Sequence, residues 1–272
     1  FNSVHCAFAH VSKAKTYLVC NRLFFIPNLR KIVNQAVSGC WTCSAYGRKR
    51  PDGHLGSERS ITCTKPNQVV FLDLAINLPV TKEGYRHAAL FLCGFSGYVA
   101  VVALKSKSAE AILEAYKQSW QAFLGATEVI YTDQALEYLS SVRNEFLFEG
   151  TRICCSYAFN PELDKAELGI QIFKKKITYL IMSKEYFDKP PEEWNKLCGE
   201  ICSLINNTPY TENCKYSRFQ LYWGRSDVHK VSPFAINYHK ENEEPFLNFE
   251  DYMKNSESKH TYLTEYMYKK YE

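Results

Sequence analysis

Near the start of the chain, His5 and His10 stand with four residues between them. After a gap of 29 residues, Cys40-Trp41-Thr42-Cys43 supplies a CxxC pair. Zinc takes four nitrogen or sulfur ligands in a tetrahedron, and two ligand pairs on separate short turns can close one around the ion. A module of about 45 residues has little core of its own, so a metal staple suits it. The pattern predicts a structural zinc site rather than a catalytic one. The plainer alternative is ordinary buried cysteines and surface histidines, with Cys6 and Cys20 as bystanders.

Three acids form a second group. Asp73 interrupts the apolar run Phe71-Leu72-Asp73-Leu74, Asp133 follows Glu128–Thr132, and Glu167 precedes Leu168, Ile172 and Phe173. An acid inside an apolar strand is costly unless it is paired or metal-bound, which makes Asp73 the most informative. Taken singly, Asp133 and Glu167 read as solvated or turn-forming residues. Together on rigid elements, three carboxylates suit a pair of Mg²⁺ or Mn²⁺ ions about 4 Å apart, the arrangement that serves in-line displacement at phosphorus.

Those acids need a scaffold, and the hydropathy pattern describes one. Apolar residues recur at intervals of three and four from Val11 to Phe25 and from Ile26 to Val37, predicting helices. Residues 51–66, opening Pro51-Asp52-Gly53, read as a linker. Strands are expected at Val69–Leu74, His87–Cys93, Tyr98–Leu104 and Glu128–Thr132, with a turn at Gly94-Phe95-Ser96-Gly97. A helix capped by Ser108 should fill 106–124, its apolar stripe being Ala109, Ile112, Leu113, Tyr116, Trp120 and Phe123. Further helices are expected from Lys165 to about Ser183 and from Pro191 to Ile205. In the second of these, Trp194, Leu197, Cys198, Ile201 and Leu204 would be core or an interface. The fold class is therefore α/β: a mixed-sheet core preceded by a small helical zinc-binding domain. The expected domains are 1–50, the linker 51–66, a core at 67–225, and an unassigned extension at 226–272 that is acidic and tyrosine-rich toward its end.

Composition sets looser bounds. With 272 residues, 46% hydrophobic and 23% charged, the chain can pack a core, which argues against wholesale disorder. A net charge of +4 permits a nucleic-acid partner without requiring one. The 11 cysteines are odd in number and irregularly spaced, unlike a disulfide framework. No signal peptide and no long apolar run are seen, so the expectation is a reduced, intracellular chain with no membrane partner. Phe1 lies so close to His5 that an upstream segment is expected to be missing.

The order HxxxxH, CxxC, strand-Asp, strand-Asp, helix-Glu resembles the integrases of retroviruses and Ty3/gypsy-like retrotransposons, over roughly residues 5 to 225. Supporting echoes are Phe24-Phe25-Ile26-Pro27, Gly94-Phe95-Ser96, Asp133-Gln134-Ala135-Leu136-Glu137-Tyr138 and Asn206-Asn207-Thr208-Pro209. Ser217-Arg218-Phe219-Gln220-Leu221-Tyr222-Trp223-Gly224-Arg225 is similar to the family's "SPFELLYGR" ending. The resemblance implies a ribonuclease-H-like core and Mg²⁺-dependent processing of DNA 3′ ends, followed by strand transfer into target DNA. It implies His5, His10, Cys40 and Cys43 as zinc ligands, and Asp73, Asp133 and Glu167 as the catalytic ligands of two Mg²⁺ or Mn²⁺ ions. Lys174, seven residues after Glu167, would contact donor DNA, with Lys175 and Lys176 extending the positive surface; the alternative is a solvated charge run. A homo-oligomer acting in the nucleus is expected.

The chain departs from the family around the third acid. Only 33 residues separate Asp133 from Glu167, where the family usually has 35. Pro161-Glu162-Leu163-Asp164-Lys165-Ala166-Glu167 lacks the family's glycine, Ala135 replaces another, and Leu168 and Ile170 stand where Arg and Asn are favoured. Glu162 and Asp164 are alternative third ligands. The altered loop also suggests a domesticated protein that binds DNA or chromatin without cutting it.

Overall fold

The computed structural model describes residues 2–46, 63–132, 143–148, 150–155, 164–182, 191–211, 214 and 216–225. Asp133, Glu162, most of the expected linker and the whole of 226–272 lie outside the described residues. The chain divides into two compact units, 1–44 with 206–272, and 45–205.

The second unit is built on a five-stranded mixed sheet: β1 (Val69–Ala75), β2 (His87–Cys93), β3 (Val99–Leu104), β4 (Val129–Thr132) and β5 (Arg152–Cys155), in the order β3-β2-β1-β4-β5. β1, β2 and β3 form an antiparallel meander, while β1–β4 and β4–β5 are parallel. This is the mixed-sheet α/β class the sequence predicts. The β2–β3 hairpin closes as expected, with Gly97 at φ +68 and its N–H on the Cys93 carbonyl at 2.8 Å. Gly94 is required for space: a Cβ there would meet Cys63 Sγ at 2.7 Å and Phe71 at 3.1 Å.

Helices cover both faces. α5 (Ala109–Tyr116) starts where Ser108 accepts a hydrogen bond from the Ala111 N–H. It runs on through a π-helical turn, Lys117–Gln121, into α6 (Ala122–Leu124). The turn seats Trp120 so that its indole N–H donates to Asn67 Oδ1 at 2.7 Å, while Asn67 Nδ2 caps the Leu124, Gly125 and Ala126 carbonyls. Phe91 meets Tyr116 and Trp120 on this face. Phe123, placed on the apolar stripe by periodicity, is 74% exposed because the π turn rotates it off the core. On the other face lies α8 (Asp164–Met182), burying Ile170, Phe173, Tyr179 and Leu180. A 3₁₀ stretch (Pro191–Leu197) buries Trp194 and Leu197, and α9 (Cys198–Asn206) buries Cys198 and Ile201, so these are core, while Leu204 is half-buried. Trp194 donates to the Pro79 carbonyl at 2.6 Å, and Cys202 Sγ receives the Val101 N–H on edge strand β3.

In the first unit, α1 (Asn2–Ala7), α2 (Lys13–Leu23), α3 (Leu29–Ser38) and α4 (Trp41–Tyr46) surround a small core of Cys20, Leu29, Val33 and Val37. The two periodic stretches do form helices, but residues 24–28 do not continue them. Phe24 is extended and Asn28 is left-handed, and Pro27 between them has no N–H to donate to a continuing helix. α10 (Arg218–Trp223) carries a capping box from Ser217 and Gln220, and Arg22 donates to Gln220 Oε1 at 3.3 Å. Residues 206–225 therefore group with the zinc helices, although the chain pattern assigns them to the core. Their buried Arg218, bonded to Thr208 Oγ1 at 3.0 Å, has its pKa pulled down to about 10 by burial.

Candidate zinc centre and carboxylate site

His5 lies on α1. The chain then reverses through Ala9 (φ +48) and His10 (φ +58), both left-handed, before Ser12 caps α2. Each such residue costs about 1 kcal/mol or more without a glycine, and the local bonds His10 N–H to the His5 carbonyl and Ala9 N–H to the Cys6 carbonyl, both 2.8 Å, hold the turn. The reversal brings His10 Nδ1 to 3.2 Å from His5 Nε2. Cys40 sits between α3 and α4, with Cys43 in the first turn of α4. Cys40 Sγ is 3.2 Å from His10 Nδ1; Cys43 Sγ is 3.3 Å from His5 Nε2 and 3.7 Å from His10 Nδ1.

All four ligand atoms lie within 4.8 Å of one another. With zinc–nitrogen bonds of about 2.05 Å and zinc–sulfur bonds of about 2.3 Å, the edges of the tetrahedron are about 3.3–3.8 Å. The four separations of 3.2–3.7 Å given above match to within a few tenths of an ångström, so the donors fit zinc. Both histidines are buried and both cysteines half-buried, as a closed site requires. Among the described residues, this is the one group of three or more His, Cys, Asp or Glu side chains placed to share an ion. None of the described cysteines forms a disulfide.

Sequence reasoning missed the residue behind the ligands. Thr16 is fully buried on α2; its hydroxyl donates to the Ser12 carbonyl at 3.0 Å and faces His5 Nδ1 at 3.5 Å. With its one proton directed to Ser12, the oxygen is an acceptor for His5 Nδ1–H. That leaves Nε2 as the metal-binding nitrogen. Spacing carries no signal for it, since the burial of a helical threonine is not written in the sequence.

The carboxylates divide. Asp73 lies half-buried in β1, one oxygen accepting the Leu74 N–H at 2.7 Å. It is paired in register with Leu90, so both side chains leave the same face of the sheet. That face is the one α8 covers, because a Cβ on Gly169 would meet Leu90 at 3.0 Å and Leu92 at 3.2 Å. Glu167, two residues before Gly169, lies in the first turn of the helix that covers this face, about 200° around the helix axis from Gly169 and so on its outer side. It is exposed and accepts from Gln171 Nε2 at 3.3 Å. Lys174 and Lys175 are exposed as expected, Lys175 lying 5.4 Å from the Tyr179 ring. Lys176 is a correction: it is only 7% exposed, because it shares the buried side of α8 with Phe173 and Leu180 and so adds nothing to the positive surface.

Residues 1–49 match the family described as integrase zinc binding domain. The chain is a relative of the retroviral and retrotransposon integrases. It is 25% identical over 232 residues to the Pro-Pol polyprotein of simian foamy virus type 3 (strain LK3), across 84% of this chain and 19% of that protein. To the retrovirus-related Pol polyprotein from transposon 412 of Drosophila melanogaster it is 21% identical over 255 residues, 91% of this chain and 19% of the relative. This integrase relative thus spans about a fifth of the length of the curated proteins it matches. A solved intasome of simian T-cell lymphotropic virus in complex with the PP2A regulatory subunit B56 gamma aligns with 91% of this chain and 78% of its own. The TM-score is 0.49 and the identity 16%. Among the described residues, no helix of the integrase relative is long and apolar enough to cross a membrane.

Proposed function

We propose that the chain is a retroelement integrase that processes DNA 3′ ends and transfers them into target DNA, with Asp73, Asp133 and Glu167 as the catalytic carboxylates. The observation that carries this reading is the face shared by Asp73 and the first turn of α8, in a chain that also holds the zinc cluster. The β1–β4 register supports it. Val69 pairs with Val129 and Phe71 with Tyr131, so β4, which Asp133 follows in the sequence, runs beside the strand that holds Asp73.

When held by these oxygens, two Mg²⁺ or Mn²⁺ ions would supply Lewis acidity to the attacking and leaving oxygens. Asp73 is held by its strand and by the Leu74 N–H, so one ligand is fixed before substrate arrives. In processing, a water oxygen forms the new bond to phosphorus as the bond to the 3′ oxygen breaks. In strand transfer, the freed 3′-hydroxyl attacks a target phosphodiester and a target 3′ oxygen leaves. Neither step needs a covalent intermediate on the protein. Lys174, exposed on the Glu167 side of α8, would meet the donor backbone. DNA ends and target DNA are the partners, a homo-oligomer holds two ends, and the nucleus is the site of action.

Strand transfer by purified protein on short duplex DNA with Mg²⁺ or Mn²⁺ tests the proposal, beside Asp73→Asn, Asp133→Asn and Glu167→Gln. Product abolished by all three is expected. Product surviving Glu167→Gln moves the third ligand to Glu162 or Asp164. The shortened segment before Glu167 favours a second reading, DNA or chromatin binding without cutting. Intact DNA binding with no product would establish it.

A further inference from the structure

The end of the sheet that bears Asp73 also gathers cations. β2 begins where β1 ends, so His87 lies at that end, paired in register with Leu104, the last residue of β3. Arg86 donates its backbone N–H to the Leu104 carbonyl at 3.1 Å, which places it beside Lys105. Lys105 Nζ sits 5.3 Å from the Tyr85 ring. Lys107 lies in an ordered turn closed by the Ser108 N–H on Ser106 Oγ at 3.1 Å. Arg86, Lys105 and Lys107 are all exposed and, among the described residues, none forms an ion pair. Glu83 and Glu110, the nearest acids along the chain, do not neutralise them.

His87 reports the crowding. Burial first, then the charges of Arg86 and Lys107, hold its pKa below the ordinary value, and its Nδ1 is buried without a hydrogen-bond partner. Like charges kept together without acids to offset them are a cost to the folded chain, and an anion removes that cost.

We infer that Arg86, Lys105 and Lys107 form a contact strip for the phosphodiester backbone of nucleic acid running away from the carboxylate site. Leu90 is the register partner of Asp73, and His87 lies three residues from it, about 10 Å along the strand and one strand spacing of about 4.8 Å across. The proposed DNA reaction at this end of the sheet favours a nucleic acid over an acidic protein. This inference rests on the proposed reading of Asp73.

The test is fluorescence anisotropy of a labelled short duplex with the full zinc-loaded chain, without added Mg²⁺, across salt from about 50 to 200 mM. Arg86→Gln/Lys105→Gln/Lys107→Gln is expected to weaken binding at least about tenfold. The slope of log K against log salt should become shallower by about 0.9 for each phosphate no longer neutralised. Lys65→Gln/Lys196→Gln removes exposed cations already paired with Glu128 and Glu193, and should leave the slope unchanged. Thermal unfolding checks the fold. If Arg86→Gln destabilises, the loop pair Lys105→Gln/Lys107→Gln is read instead. An unchanged slope, an equal loss in the control, or a wild type that binds no duplex overturns the strip. So does a triple variant that loses retention on polyglutamate while keeping its DNA slope, which would assign the strip to an acidic protein. Duplex binding lost in the triple variant, in a protein that performs no strand transfer, sinks the proposed reaction and leaves the strip standing. Strand transfer with an unchanged slope sinks the strip alone.

Discussion

Removing the Thr16 hydroxyl should weaken zinc binding without removing a ligand. Thr16→Val keeps the shape of the side chain but takes away the oxygen that faces His5 Nδ1. The orienting partner of a metal-bound histidine is worth about 10–100-fold in metal affinity. A buried donor that loses its acceptor costs about 1–3 kcal/mol, which is the same range. The approach is long at 3.5 Å, so the lower end applies: about tenfold weaker zinc binding, or about 1.4 kcal/mol. Thr16→Ser retains the oxygen and should stay within about threefold of wild type, a gap smaller than one hydrogen bond's worth. The assay is competition for zinc against a chromophoric chelator at fixed pH, with far-UV circular dichroism to check that α1–α4 remain folded when metal is saturating. Wild-type affinity in Thr16→Val would refute the reasoning. Equal weakening in Thr16→Ser would as well, because packing rather than the hydroxyl would then be responsible.

The remaining predictions concern each unit by itself. Stripping zinc should unfold α1–α4, whose core is only Cys20, Leu29, Val33 and Val37, while leaving the buried Trp120 and Trp194 of the sheet unit in place. Loss of helical signal with unchanged near-ultraviolet bands from Trp120 and Trp194 is the expected result, read in a Trp41→Phe/Trp223→Phe chain because those two tryptophans lie in the first unit. Ala9→Gly should stabilise the zinc module by about 0.5–1 kcal/mol, since relief of a left-handed alanine outweighs the added chain entropy; zinc-loaded thermal unfolding measures it. Burial, and secondarily Cys202, pushes the Cys198 thiol up from 9.0 to about 12. Because the folded value lies above the unfolded one, the stability its protonation contributes is full below pH 9 and is lost as pH rises toward 12. Cys198→Ala should flatten the fall in stability of the sheet unit between pH 9 and 11, by up to about 1.4 kcal/mol per pH unit.

Particular residues show what could be read from the sequence. Val69–Leu74 and His87–Cys93 announce buried strands because both faces are covered, leaving near-continuous apolar runs. Ser108 and the stripe behind it announce α5. β5 escaped notice because Arg152-Ile153-Cys154-Cys155 is short and half polar, and its pairing with β4 supplies what its composition lacks. α7 (Arg143–Phe148) and α10 are single turns or little more, below the length at which periodicity speaks. The zinc ligands were legible from spacing alone; Thr16 was not, because nothing in a sequence says which way a helical threonine points. The grouping of 206–225 with the zinc helices depends on a long-range bond, Arg22 to Gln220, that no local pattern encodes.

The two candidate metal sites differ in what the fold must supply. At the zinc cluster the protein accepts strain at Ala9 and His10, and the ligands converge because the backbone forces them to. At the carboxylates no such strain is needed. Asp73 is placed by register against Leu90, and α8 by the close approach of Gly169 to the same leucine. A side chain at 169 larger than hydrogen would press on the Leu90 and Leu92 methyls, which would have to give by a few tenths of an ångström. Glu167, two residues earlier, is exposed on the side of the helix turned away from Leu90, so reaching Asp73 is a demand on the first turn of α8 that the packing at Gly169 does not itself meet.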